Sequence, residues 1–124
     1  MSEDNKNFYD LETWQVAHQY VLSIYKITEK VPDTERFGII SQLRRAASSI
    51  TANIAEGYDR YYFKDKIRFY FNARGSSAET QNFLFLSRDL GYITIEQCTE
   101  LFKKSNEVRR LLNGLIRYTE SRVK

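Results

Sequence analysis

The sequence predicts an all-α chain, an antiparallel up-down four-helix bundle. Three observations predict it. Apolar residues recur at spacings of three and four through four long segments. Only one proline, Pro32, and five glycines interrupt the 124 residues, so long regular elements are expected. The joins between segments are short, which favours antiparallel neighbours. No strand alternation of any length, low-complexity tract or internal repeat is evident. The length suits one domain over 1–124, with helices at about 11–30, 34–57, 64–90 and 94–121.

The first helix is expected to start after Asp10, a good N-cap. Its stripe is Trp14, Ala17, Val21, Ile24, Tyr25 and Thr28, and Val31-Pro32-Asp33 ends it, because a residue before proline avoids the α region. The second helix starts near Asp33 or Thr34, with Ile39, Leu43, Ala46, Ala47, Ile50 and Ile54 as its stripe and Gly57 as its stop. A join over Tyr58–Lys64 leads to the third helix, which Gly91 ends. Thr94 and Gln97 form a capping-box pattern at the start of the fourth. The fourth stripe is Cys98, Leu101, Phe102, Ser105, Val108, Leu112, Leu115, Ile116 and Thr119.

Two helices have too many faces. On the second, Ser41, Ser48, Ala52 and Ala55 gather opposite the core stripe, bordered by Arg44 and Arg45, with Glu56 nearby. Ala and Ser are acceptable surface residues, but small side chains also let another backbone approach, and marginal arginines can fork onto carboxylates. On the third, Phe69, Ala73, Ser76, Thr80, Phe83 and Ser87 form one stripe, while Ile67, Phe71, Ala78 and Phe85 form another roughly opposite. Leu84, Leu86 and Leu90 add more. A helix apolar on several sides is usually buried on several sides. Both patterns predict contacts with copies of the chain. Gly75, with Ser76 and Ser77, makes a thin spot where a helix could come close, or a mild kink.

Hydrophobic residues make up 42% and aromatics 15%, enough for a core with rings to spare for a surface outside the monomer. The net charge of +3 is uneven. Residues 1–35 hold three basic and seven acidic groups, residues 36–88 nine and four, residues 89–100 none and three, and residues 101–124 seven and two. That distribution allows a polyanion partner without implying one. Cys98 is alone, which fits a reducing compartment. The polar start MSEDNKNFYD is unlike a signal peptide, and no apolar run approaches the roughly 18 residues of a membrane span. A soluble cytoplasmic protein with no membrane partner is expected.

Little chemistry is encoded. His18 is the only histidine, at the edge of the first stripe, and reads as a satisfied or exposed side chain rather than a catalyst. A single histidine and a single cysteine argue against a metal site, and no nucleotide-binding or nucleophile motif occurs. Glu56 and Glu79 could approach each other across helices, but isolated carboxylate pairs are usually ion-pair partners. No cofactor and no enzymatic activity are expected.

The strongest surface signal is in the fourth helix. Lys103, Arg110, Arg117 and Lys124 are seven apart and share a face, with Lys104 and Arg109 to its sides and Asn106 and Asn113 beside it. Such a face can track a phosphate backbone, although a solvated face looks similar and basic residues also suit a helix C-terminus. The join Arg60-Tyr61-Tyr62-Phe63-Lys64 interleaves bases with rings that could stack on single-stranded bases. The expectation here is the plainer one, that the rings plug one end of the bundle.

The sequence resembles the small four-helix-bundle proteins encoded in bacterial 23S rRNA intervening sequences. The matching pieces are LETWQVAHQYVLSIYKIT, PDTERFGIISQLRRAASSITANIAEG, RFYFNARGSSAE and LGYI, in the family's order over most of the chain. The combination of QLRRAA, NIAEG and ARGS is specific. The resemblance implies a ring-shaped homo-oligomer, a homopentamer. It also implies likeness to the accessory protein of diversity-generating retroelements, a basic pentameric barrel that works with nucleic acid and a reverse transcriptase. For most members no activity is established. The chain departs from many relatives at Thr51, where they carry proline, and at Ser77, where an apolar residue is common. The expected function is a non-enzymatic oligomeric scaffold that binds RNA or DNA through basic helix faces. The alternative is an adaptor that docks a partner protein such as a reverse transcriptase.

Overall fold

The computed structural model describes residues 7–123. Four long α-helices account for most of them: α1, Glu12–Thr28; α2, Ser41–Asp59; α3, Phe63–Asp89; and α4, Ile95–Glu120. Each helix packs on the next in the chain, and α4 closes against α1, giving a four-cornered up-down bundle. No strand is present among the described residues. One end of the bundle carries the α1–α2 and α3–α4 joins. The other carries the α2–α3 join and both ends of the described chain.

Local chemistry explains where the helices stop. Thr94 and Gln97 exchange hydrogen bonds at the start of α4: Gln97 N–H donates to Thr94 Oγ1 at 3.0 Å and Thr94 N–H to Gln97 Oε1 at 2.8 Å. At the end of α3, Gly91 adopts φ +80°, a left-handed conformation that glycine takes without steric cost. Tyr92 N–H then reaches Ser87 O at 2.9 Å and Gly91 N–H reaches Arg88 O at 3.0 Å, closing a Schellman motif.

Three boundaries differ from the sequence expectation. Leu11, not Asp10, is the N-cap of α1, because Phe8–Asp10 form a short 3-10 turn in which Asp10 Oδ2 accepts the Asn7 N–H at 2.9 Å. The second helix does not run unbroken from Asp33. A 3-10 turn over Asp33–Glu35 and a π turn over Arg36–Ile40 precede it, with non-helical backbone at Gly38. Glu35 holds this bend: its Oε1 accepts Ile39 N–H at 3.2 Å, and its Oε2 accepts the Tyr92 hydroxyl at 3.0 Å, tying the two joins together. Gly57 does not stop α2, which continues to Asp59. Gly57 is buried where α3 crosses, and a Cβ there would lie 2.8 Å from Tyr70 Cε1 and 2.9 Å from Phe69 Cβ.

The core follows the α2 and α4 stripes. Ile39, Leu43, Ala46, Ala47, Ile50 and Ile54 are all buried, as are Cys98, Leu101, Ser105, Val108, Leu112, Ile116 and Thr119, with Phe102 and Leu115 half-buried at the margin. α3 faces the core one residue later than expected. Its buried seam is Tyr70, Ala73, Ser77, Thr80, Leu84 and Ser87, so Tyr70, Ser77 and Leu84 replace Phe69, Ser76 and Phe83. In α1, Tyr20 is buried, whereas Trp14 is half-buried and Tyr25 is exposed. α3 is continuous through Gly75. Of the expected thin spot, only Gly75 faces outward. Ser76 Oγ donates to Ser49 Oγ at 3.1 Å, and Ser77 pairs with Ser105 at 3.3 Å inside the core. At Thr51, α2 continues unbroken, the hydroxyl donating to Ser48 O at 3.1 Å.

Candidate nucleic-acid and subunit interfaces

The α4 seam turns Cys98, Leu101, Ser105, Val108 and Leu112 inward, so the opposite side of that helix must face solvent. Lys103, Arg110 and Arg117 stand there in line, all exposed; Lys124 lies outside the described residues. Arg110 pairs with Glu107 on the next turn, which holds the Glu107 carboxyl below its usual range and the guanidinium above its own. Lys103 and Arg117 make no ion pair among the described residues. Two neighbours on the helix are spent elsewhere. Lys104 Nζ donates to Ser23 Oγ of α1 at 3.0 Å, and Asn113 Oδ1 accepts Arg74 Nη1 of α3 at 2.9 Å. Glu96 and Glu100 lie beside Lys103 in a shallow hollow with Ile95 and Thr99. The positive character of the stripe therefore grows toward the C-terminal end of α4.

That end also carries the α2–α3 join, and here the sequence expectation is corrected. The rings do not plug the bundle. Tyr61 is 86% exposed and Tyr62 67% exposed, packed edge to face at 4.9 Å, and Phe63 and Lys64 are exposed as well. The end is closed instead from within, by Tyr70 against Gly57. Arg60 turns back along α2, bonding Glu56 Oε2 at 2.7 Å and covering the Phe69 ring at 4.5 Å.

The candidate subunit residues fall on two opposite faces. On α2, Ser41, Arg45 and Ala52 are exposed and Ser48 and Ala55 half-buried. This side of α2 borders α1, as Arg44 shows. Its Nε donates to Thr28 Oγ1 at 2.8 Å and its guanidinium lies 4.8 Å from the Tyr25 ring centre. Arg44 is thus engaged inside the chain, and Arg45, whose guanidinium bonds Gln42 on its own helix at 2.9 Å, is the arginine that faces out. Glu56 is paired with Arg60. On α3, Phe71, Ala78 and Phe85 are exposed in line, the rings by 40% and 43%, while Ile67 is half-buried. This side of α3 borders α4: Phe85 packs on Phe102 at 4.5 Å. Arginines cover the rings, Arg74 over Phe71 and Arg88 over Phe85, each at 4.8 Å. The small face therefore lies on the α1–α2 side of the bundle and the aromatic face on the α3–α4 side. Phe102, expected in the core from its stripe, packs at the core margin and also against Phe85, a contact between helices that the stripe does not show.

His18 stacks on Trp14 at 4.6 Å and is half-buried. Among the described residues no group of three or more His, Cys, Asp and Glu could hold a metal ion, and no helix is long and apolar enough to cross a membrane.

Comparison with known proteins agrees with the fold. The chain is similar to a solved structure from Bacteroides thetaiotaomicron VPI-5482, a protein with unknown function from the S23 ribosomal protein family. The two share 28% identity with a TM-score of 0.75, over 84% of this chain and 97% of that chain. No curated protein matches the chain. The family model for the 23S rRNA-intervening sequence protein matches residues 9–114, and the chain belongs to that family.

Proposed function

We propose that the chain is a non-enzymatic cytoplasmic scaffold that assembles with copies of itself and holds RNA or DNA against the basic outer side of α4. The observation that carries this reading is that one bundle exposes two unlike faces on opposite sides, one of small residues bordered by Arg45 and one of aromatic rings covered by Arg74 and Arg88. The small residues of α2 offer close approach, and Phe71, Ala78 and Phe85 offer apolar area that water disfavours. Unlike faces on opposite sides make a head-to-tail contact, which closes into a ring when the rotation allows. Five subunits is the number the family resemblance implies. A ring repeats Lys103, Arg110 and Arg117 around its rim, so weak phosphate contacts add up on one strand.

Fluorescence anisotropy with labelled RNA and DNA at rising salt tests this. Binding is expected to weaken steeply, because each phosphate neutralised releases counterions. Lys103→Glu with Arg117→Glu should lower affinity at least about tenfold at low salt. No binding to any RNA or DNA at low salt would refute the nucleic-acid part. A second reading, an adaptor for a partner protein such as a reverse transcriptase, is favoured by Phe37, 90% exposed on the π turn, with Leu90 and Ile95 exposed at the same end. Capture of one protein that survives nuclease treatment and is lost in Phe37→Ser would select it.

A further inference from the structure

The α2–α3 join has features that neither the fold nor assembly through α2 and α3 uses. It is only three residues long, Arg60–Tyr62, yet two of the three are tyrosines and a phenylalanine follows. Tyr61 and Tyr62 leave most of their surface in water and contribute nothing to the core. The turn is nevertheless held in place: Lys66 Nζ donates to Tyr58 O, and Arg60 is fixed by Glu56 and by the Phe69 ring. Tyr62 and Phe63 form one wall of an open groove of about 490 Å³, and Lys64, Asp65, Arg122 and Val123 complete it. The Arg122 guanidinium is steadied by the Tyr118 hydroxyl at 2.7 Å and lies over that ring at 4.9 Å. Asp65 leans toward Arg68 at 3.8 Å, while Lys64 makes no ion pair among the described residues.

We infer that this groove binds the bases of single-stranded nucleic acid, stacking them on Tyr62 inside it and on Tyr61, packed edge to face beside it, while Lys64 and Arg122 meet the flanking phosphates. The inference rests on the nucleic-acid reading of α4 and names the form of the ligand. Every base has a π-face, so exposed rings bind single strands with little sequence preference. A duplex keeps its bases stacked on one another and offers the rings nothing. The two segments around the groove, residues 58–68 and 117–123, carry six cations against three carboxylates. That excess suits a polyanion rather than an apolar peptide. The groove also lies at the end of α4 toward which Arg110 and Arg117 lead, so one strand can run along the helix and end on the rings.

The test uses fluorescein-labelled oligothymidylate of about a dozen nucleotides and a duplex of equal length. The full chain should prefer the single strand. Tyr61→Ala with Tyr62→Ala should lower single-strand affinity at least about tenfold relative to duplex affinity. Tyr61→Phe with Tyr62→Phe should retain the preference, since stacking needs the ring and not the hydroxyl. Lys103→Glu with Arg117→Glu should instead weaken both ligands. Equal or better binding of the duplex by the wild-type chain, or no loss of preference in the alanine pair, would overturn the inference and leave the α4 reading standing. Absence of binding to both ligands would overturn both. A fall in assembly mass in the alanine pair would reassign the rings to a contact between subunits and overturn it too.

Discussion

The hydroxyl of Tyr20 lies in the core with no hydrogen-bond partner among the described residues. Ser105, whose hydroxyl favours the ionised phenol, is taken up by Ser77 at 3.3 Å. A buried unsatisfied hydroxyl costs about 1–3 kcal/mol, so Tyr20→Phe should leave stability unchanged or raise it by about 1 kcal/mol in urea unfolding. A loss above about 1 kcal/mol would show that the hydroxyl has a partner after all. The same burial pushes the phenol up from 10.0 to about 12, and burial with Tyr58 nearby raises Tyr70 as well. The folded chain therefore keeps protons that the unfolded chain loses. Tyrosine linkage leaves stability intact below pH 10.0 and erodes it as pH rises toward about 12. Each phenol contributes a slope of about 1.4 kcal/mol per pH unit in that window, so Tyr20→Phe should flatten the alkaline limb of the stability curve.

At the scale of the element, α2 and α3 cross where Gly57 brings the Tyr70 ring against backbone. Gly57→Ala should cost about 1–3 kcal/mol by thermal or urea unfolding, because a Cβ overpacks the crossing and a helix-favouring residue does not offset it. A gain in stability would mean that α3 shifts freely. This crossing shows what the sequence could not disclose. Gly57 after NIAE reads as a stop, since a helix-ending glycine and a close-contact glycine look alike without the partner helix. The facing of α3 was hidden for a related reason. With Phe69, Tyr70, Phe71, Phe83, Leu84, Phe85 and Leu86 in one helix, every side is apolar somewhere and periodicity cannot choose. Where the other side is polar, as on α4, the stripe from Cys98 to Thr119 and the Thr94–Gln97 cap were legible residue by residue. Long-range engagement is not legible either: Arg44, expected to meet a carboxylate at a subunit contact, bonds Thr28 of α1 instead.

For the whole molecule, the two opposite faces set the expectation. Ala52→Arg places a long cation on the small face of α2, and Phe71→Glu with Phe85→Glu charges the aromatic face of α3. All three positions are exposed in the single chain, so each variant should keep its helical circular dichroism while losing mass in solution. Loss of helicity along with mass would instead mark these residues as structural within the chain. The exposed α4 cations were readable from the spacing of Lys103, Arg110 and Arg117, but the exposed rings of the α2–α3 join were not. Nothing local tells an end plug from an exposed platform when both are aromatic. The most direct measurement for the scaffold is light scattering of the wild-type chain after gel filtration. The expected mass is several times the 14.7 kDa of one chain. A single species at 14.7 kDa across the concentration range would contradict assembly through the α2 and α3 faces.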